Sequence, residues 1–198
     1  MGRGTVTNYR ATTEVPPLVR EATALAERLG FTQSCRPETG RLLRVLTAQV
    51  REGVVGEMGT GCGVGAAWLA SALAPGVSLV TIELDAARAA AARELFADVP
   101  SVRVLHGDWR ELLPYGPFAL LFADGGKAKQ HEPDALVTAL RPGGLLVLDD
   151  LTPEDQWPEE WRGKPDPVRE FWLNDPRLAA TELLVGPRVV VIVATRLR

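Results

Sequence analysis

The sequence predicts an α/β protein: a doubly wound, mostly parallel sheet of seven strands with a C-terminal antiparallel hairpin, preceded by N-terminal helices. Three observations carry this. Residues 54–58 form a short apolar run that stops in glycines, and 66–73 continue with helix-forming composition; this is the strand, tight turn and helix of a nucleotide-binding corner. Further along, apolar runs of strand length alternate with helical stretches, and most of these runs end in an acid. Last, 179–185 and 188–194 flank Gly186-Pro187 and read as a hairpin.

The 198 residues suit one domain, with 1–52 as a helical lead-in and 53–198 as the core. Hydrophobic content of 46% and charged content of 24% are ordinary for a globular protein. The net charge of −3, with no basic run, argues against a nucleic-acid partner. No apolar window has membrane length, and residues 1–14 are polar, with loose structure expected at the start. The two cysteines, Cys35 and Cys62, lack metal-type spacing and suit a reducing cytoplasm.

In chain order, Pro16-Pro17 opens a helix over 18–29, stopped by Gly30, with Leu18, Ala22, Leu25, Ala26 and Leu29 on one face. A second helix spans 37–50, with Leu42, Leu43, Leu46 and Val50 apolar. These helices either cover a ligand or pack plainly on the sheet. The glycine loop follows: Gly59, Thr60, Gly61, Cys62, Gly63, Val64, Gly65. It is not a Walker A loop, because Ala66-Ala67 stand where Lys and Ser/Thr are needed. A dinucleotide frame fails from Gly59 and passes from Gly61, but it leaves Glu57 at the strand end, where a carboxylate repels a pyrophosphate. A ligand with a cationic amino-acid end suits Glu57 better.

The strand over 77–83 ends in Glu83, where an acid accepts two hydrogen bonds from a ribose diol. Asp85 caps a helix over 86–97. After the strand 102–105 come His106-Gly107-Asp108-Trp109. Asp108 either accepts an adenine amino group, with Trp109 near the ring, or caps the short helix through Leu113. A lone histidine such as His106 is more often structural. The strand 118–123 leads into Asp124-Gly125-Gly126-Lys127, and a helix over 133–140 stops at Pro142-Gly143-Gly144. The strand 145–148 ends in Asp149-Asp150. Asp124, Asp149 and Asp150 thus converge from neighbouring strand ends, and a hard divalent cation such as Mg²⁺ would compensate their charge. Their alternative role is in turns and caps. Trp157 and Trp161 stand in the irregular stretch 151–167, as walls for an aromatic substrate or as packing anchors, and a helix near 168–173 follows.

The pattern Glu57-x-Gly59-x-Gly61-x-Gly63 resembles motif I of the class I S-adenosylmethionine (SAM) methyltransferases, whose Rossmann-like fold ends in a hairpin. Phe122-Ala123-Asp124-Gly125-Gly126-Lys127 resembles the Phe-Ile-Asp-Ala-Asp-Lys segment of the cation-dependent O-methyltransferases of the catechol and caffeoyl-CoA type. The stretch from Arg141-Pro142-Gly143-Gly144 to Asp149-Asp150 resembles their Lys-Pro-Gly-Gly-x-x-x-x-Asp-Asn. Pro37-Glu38-Thr39-Gly40 and the stretch from Val168 through Asp175-Pro176-Arg177 are similar too.

The resemblance implies a SAM-dependent O-methyltransferase acting on a small, catechol-like acceptor. By it, Glu57, Gly59, Thr60, Gly61, Gly63 and Gly65 lie along the methionine part, Glu83 on the ribose, and Asp108 and Trp109 near adenine. Asp124, Asp149 and Asp150 become metal ligands, and Lys127 the general base. It also implies a homodimer. Two positions depart: Asp150 stands where the family has Asn, and Gly126 replaces a common Asp. An extra negative charge binds a cation more tightly and weakens its acidifying power. Bringing a phenol to its anion at pH 7 takes roughly 4 kcal/mol; without a metal, Lys127 or His131 would act alone. The competing readings are a metal-independent methyltransferase, an NAD-linked oxidoreductase, and a non-catalytic SAM-binding module.

Overall fold

The computed structural model describes residues 14–125 and 127–198. Nearly all of the segment expected to be loose, and Gly126, lie outside the described residues.

Seven strands form one sheet: β1 (Val54–Met58), β2 (Ser78–Glu83), β3 (Val102–His106), β4 (Phe118–Ala123), β5 (Leu140–Leu151), β6 (Leu178–Gly186) and β7 (Val189–Arg196). Their order across the sheet is β3-β2-β1-β4-β5-β7-β6. β1 to β5 pair in parallel, and β7 runs antiparallel to both β5 and β6. The predicted seven strands and hairpin are therefore present. The direction of winding reverses between β1 and β4, which opens a crevice beyond their carboxyl ends. All six residues of β4 are buried, as a central parallel strand covered on both faces requires.

The helices are α1 (Pro17–Arg28), α2 (Pro37–Thr47), α3 (Val64–Ala70), α4 (Ala86–Leu95), α5 (Ala128–His131), α6 (Pro133–Ala139) and α7 (Pro167–Asn174). The expected apolar residues of the first two lie in or against the core, except Leu29, which is exposed. The buried faces also take in Val19 on α1 and Thr39, Gly40 and Thr47 on α2. A Cβ on Gly40 would lie 2.2 Å from the Trp68 Nε1, so glycine there lets α2 approach α3 closely.

β5 starts five residues earlier than 145. Phe118 pairs with Leu140 and Leu120 with Leu145, so Arg141 to Gly144 bulge within the strand where a stop was expected. A Cβ at Gly144 would stand 2.7 Å from the Phe118 carbonyl oxygen, which is why glycine lets the strand continue. α5, one turn long, had no signal in the apolar pattern. No helix among the described residues is long and apolar enough to cross a membrane.

Candidate active site

The glycine loop closes over the end of β1. The N–H groups of Gly59 and Thr60 both donate to the Ile82 carbonyl at 3.0 Å, which ties the loop to β2. Gly59 has φ +92°, and a Cβ there would lie 2.1 Å from the Asp124 carbonyl oxygen. So this glycine lets the ends of β1 and β4 touch. A Cβ on Gly61 would press on Phe31, one on Gly63 on Phe96, and one on Gly65 on the Glu57 Oε1 at 2.2 Å.

Glu57 is beneath this loop, 1% exposed, and does not line the crevice. Its Oε2 accepts from the Thr81 hydroxyl at 2.5 Å, and that hydroxyl lies 2.5 Å from the Thr60 hydroxyl. With the Thr81 proton spent on Glu57, Thr60 is the donor of the second bond. The Glu57 Oε1 is buried with no partner among the described residues. Burial pushes the Glu57 pKa well up against the pull of Thr81, and the charges of Asp124 and Glu83 add to it.

At the end of β2, Glu83 is held from several sides. Its Oε2 accepts the Gly61 N–H at 2.7 Å; its Oε1 accepts the Asp85 N–H at 2.9 Å and the Arg88 guanidinium at 2.9 Å. Arg88 in turn sits 5.2 Å from the Phe31 ring centre. Asp108 takes the capping role expected of it. It accepts the Arg110 N–H at 3.0 Å in a capping box with Glu111, and it lines the crevice beside Trp109. His106 and His131 are exposed.

The end of β4 is electrostatically different. Burial, then the neighbouring Asp150 and Asp149, push the Asp124 carboxyl up to about 8, with Lys129 pulling the other way. Burial likewise raises Asp149. Yet these three acids are not gathered as ligands of one ion. Among the described residues no group of three His, Cys, Asp or Glu is arranged to hold a metal. Successive strand residues point to opposite faces: Asp149 is buried and Asp150 exposed, with φ +61°. All three nonetheless line one crevice, as their places at neighbouring strand ends led one to expect.

Lys127, the expected base, is exposed at the start of α5 and lines neither of the cavities described here. Two positions on, a helix has turned through more than half a circle. Lys129 is 7% exposed, and its Nζ donates to the Asp149 carbonyl. Sequence reading passed it over; its spacing from Lys127 was the available signal.

The crevice has a volume of about 640 Å³. It joins Gly59 and Gly61, Glu83, Asp108 with Trp109, and Asp124 with Asp149 and Asp150. Residues 31–36, linking α1 to α2, form its other wall, and none of them had been singled out as a site residue. Burial, then Asp124 and Asp149, drive the Cys35 thiol well up. A second cavity of about 380 Å³ adjoins the crevice at Asp150, lined also by Lys129, Trp157, Trp161 and Lys164. The two tryptophans differ in exposure. Trp157 is 8% exposed, donates its Nε1–H to the Thr152 carbonyl at 3.0 Å and carries Arg169 5.3 Å from its ring. Trp161 is 52% exposed.

Residues 57–151 match a family described as a methyltransferase domain. The match runs from Glu57 to Leu151 and so contains every candidate position named on the strand ends, which makes this part of the chain similar to a methyltransferase domain. The chain is 31% identical over 144 residues to a catechol O-methyltransferase of Niastella koreensis, covering 68% of this chain and 65% of that one. It spans 54% to 56% of the length of the curated mycobacterial relatives it matches. Two solved structures share the fold. The O-methyltransferase TomG from Streptomyces achromogenes, in complex with SAM, has a TM-score of 0.77 at 22% identity, with 96% of this chain and 93% of that one covered. The O-methyltransferase from Bacillus cereus, in complex with SAH, has 0.77 at 21% identity, with 94% of each covered.

Proposed function

We propose that this protein is a SAM-dependent O-methyltransferase acting on a hydroxyl of a small, aromatic, catechol-like acceptor in a reducing cytoplasm. The observation that carries the reading is the charge pattern of one continuous crevice, anionic at two separated places. Glu83 presents a carboxylate held by the Gly61 N–H, and Asp124, at the end of β4, lines the same crevice. A ligand with a vicinal diol at one end and an ammonium at the other matches both places. The buried, unpartnered Oε1 of Glu57 beneath Gly65 supports it too: a side chain at 65 would fill the space that keeps the loop low over this acid.

SAM bound there supplies an electrophilic methyl group on a sulfonium. Glu83 would hold its ribose hydroxyls. Trp109 and Leu84 would flank the adenine, and Asp124 would meet the ammonium. The 31–36 wall would exclude water from the methionine side, with Cys35 and Cys62 as buried thiols. The acceptor would enter from the second cavity across Asp150, its ring against Trp161. The reading assigns no step to a divalent cation, because no group of three His, Cys, Asp or Glu among the described residues is arranged to hold one.

Calorimetry with SAM and, separately, NAD tests this. Saturable SAM binding without NAD binding is the expected result. NAD binding alone overturns it and favours an oxidoreductase. Turnover of a catechol with labelled SAM separates an enzyme from a binding module.

A further inference from the structure

We propose that the Lys129 ammonium is the built-in cation of this site, neutralising the acids at the β4 and β5 ends so that methyl transfer needs no added metal. The catalytic half of this statement rests on the methyltransferase reading; the charge half does not.

A lysine is almost never buried without a partner. Lys129 is buried at the place where acids crowd, and its Nζ donates to the main-chain oxygen of Asp149. An ammonium has three donors, and the carbonyl takes one. Its charge acts on Asp124 and Asp149 together. The other ionisable groups coupled to this cluster are Asp150, Glu57 and Cys35, each of which is neutral or negative. Among the groups named here, Lys129 is the cation that acts on both Asp124 and Asp149.

The ammonium is also held in place. The Trp172 Nε1–H donates to the Lys129 carbonyl at 3.0 Å, and Trp172 is fully buried. α5 is thereby pinned to α7. Lys129 and Asp150 both line the second cavity, and Asp150 also lines the crevice. The charge therefore stands where a methyl donor and an acceptor oxygen would meet, which is the place a Lewis acid would otherwise serve. Asp150 in place of Asn fits the same account. The added carboxylate is exposed at the strand end, beside a monovalent ammonium that, unlike a metal ion, cannot be lost to solution.

The test uses Mn²⁺ alone as the probe, followed by electron paramagnetic resonance, on the wild-type protein, Lys129→Met and Lys129→Arg. Wild type and Lys129→Arg should show no saturable binding up to millimolar Mn²⁺. Lys129→Met, with the acids uncompensated, should bind at least about tenfold more tightly. Tight wild-type binding that Asp124→Asn abolishes would overturn the proposal, as would equal binding by wild type and Lys129→Met. In turnover, wild type should keep its full rate in EDTA, and Lys129→Arg should retain more kcat than Lys129→Met at similar SAM affinity. Loss of wild-type turnover in EDTA, with recovery on Mg²⁺, would overturn the proposal and leave the methyltransferase reading standing. Failure to bind SAM would remove that reading, and the Mn²⁺ arm would still decide the charge assignment. Both wild-type arms hold even where Lys129→Met does not fold.

Discussion

Glu83 and Asp124 occupy equivalent places, each at the carboxyl end of a parallel strand facing one crevice, yet their surroundings are opposite. Glu83 receives two main-chain N–H groups and an arginine. Asp124 is surrounded by burial and by two other acids, which push it up to about 8. The first is held by its donors before any ligand arrives; the second becomes an anion when a cation does. The comparison shows that an acid after a strand does not have one meaning. Its neighbours decide whether it is a fixture or a receptor.

The largest effect should come from breaking the frame that holds the two ends together. Gly59→Ala puts a Cβ into the Asp124 carbonyl at a positive φ, and should cost about 3 kcal/mol or more. A denaturant melt would show it, and an unchanged midpoint would mean that β1 and β4 are not packed as described.

Next, Glu83→Gln keeps the shape of the fixed anion and removes its charge. It leaves Arg88 without its ion pair and should weaken SAM binding by about 2 kcal/mol, near thirtyfold. Calorimetry reads this directly.

The receptor end should show itself through pH. A bound cation favours ionised Asp124, so SAM affinity should rise with pH up to about 8, by at most about tenfold per unit, and then level off. Binding at neutral pH should release a proton, seen as a buffer-dependent heat, and Asp124→Asn should abolish both. The ligand-free protein shows the opposite trend. A carboxyl whose folded pKa lies above its ordinary value stabilises the fold least when deprotonated, so stability falls between about pH 4 and about pH 8. Asp124→Asn should therefore raise the melting temperature at pH 8 and leave it nearly unchanged at pH 4. The smallest effect is expected at the exposed Trp161: Trp161→Ala should raise the acceptor KM by about five- to tenfold, with SAM affinity unchanged.

Much of this was legible in the chain. The strand–glycine–helix corner and the acid after each strand follow from local rules: apolar runs of strand length, glycines where a Cβ would clash, and caps such as Asp85 and Asp108. Periodicity placed α1 and α2 and most of their core residues, but not the role of Gly40, because its approach to Trp68 is a contact between distant segments. β5 was read too short, because a bulge and a stop look alike when only Pro-Gly-Gly is visible. The 31–36 wall carries no motif at all.

The sequence by itself determined the order of the elements, the hairpin that closes the sheet, and which acids stand at strand ends, since these depend on neighbours within a few residues. Only the tertiary structure decided what those acids are. It placed Glu57 under the loop, gave Glu83 its arginine, split Asp149 from Asp150 across the strand, and buried Lys129 where Lys127 is exposed. Charge and exposure depend on what approaches through space, and the groups that approach here come from distant segments, as Trp172 and Lys129 do across 43 residues.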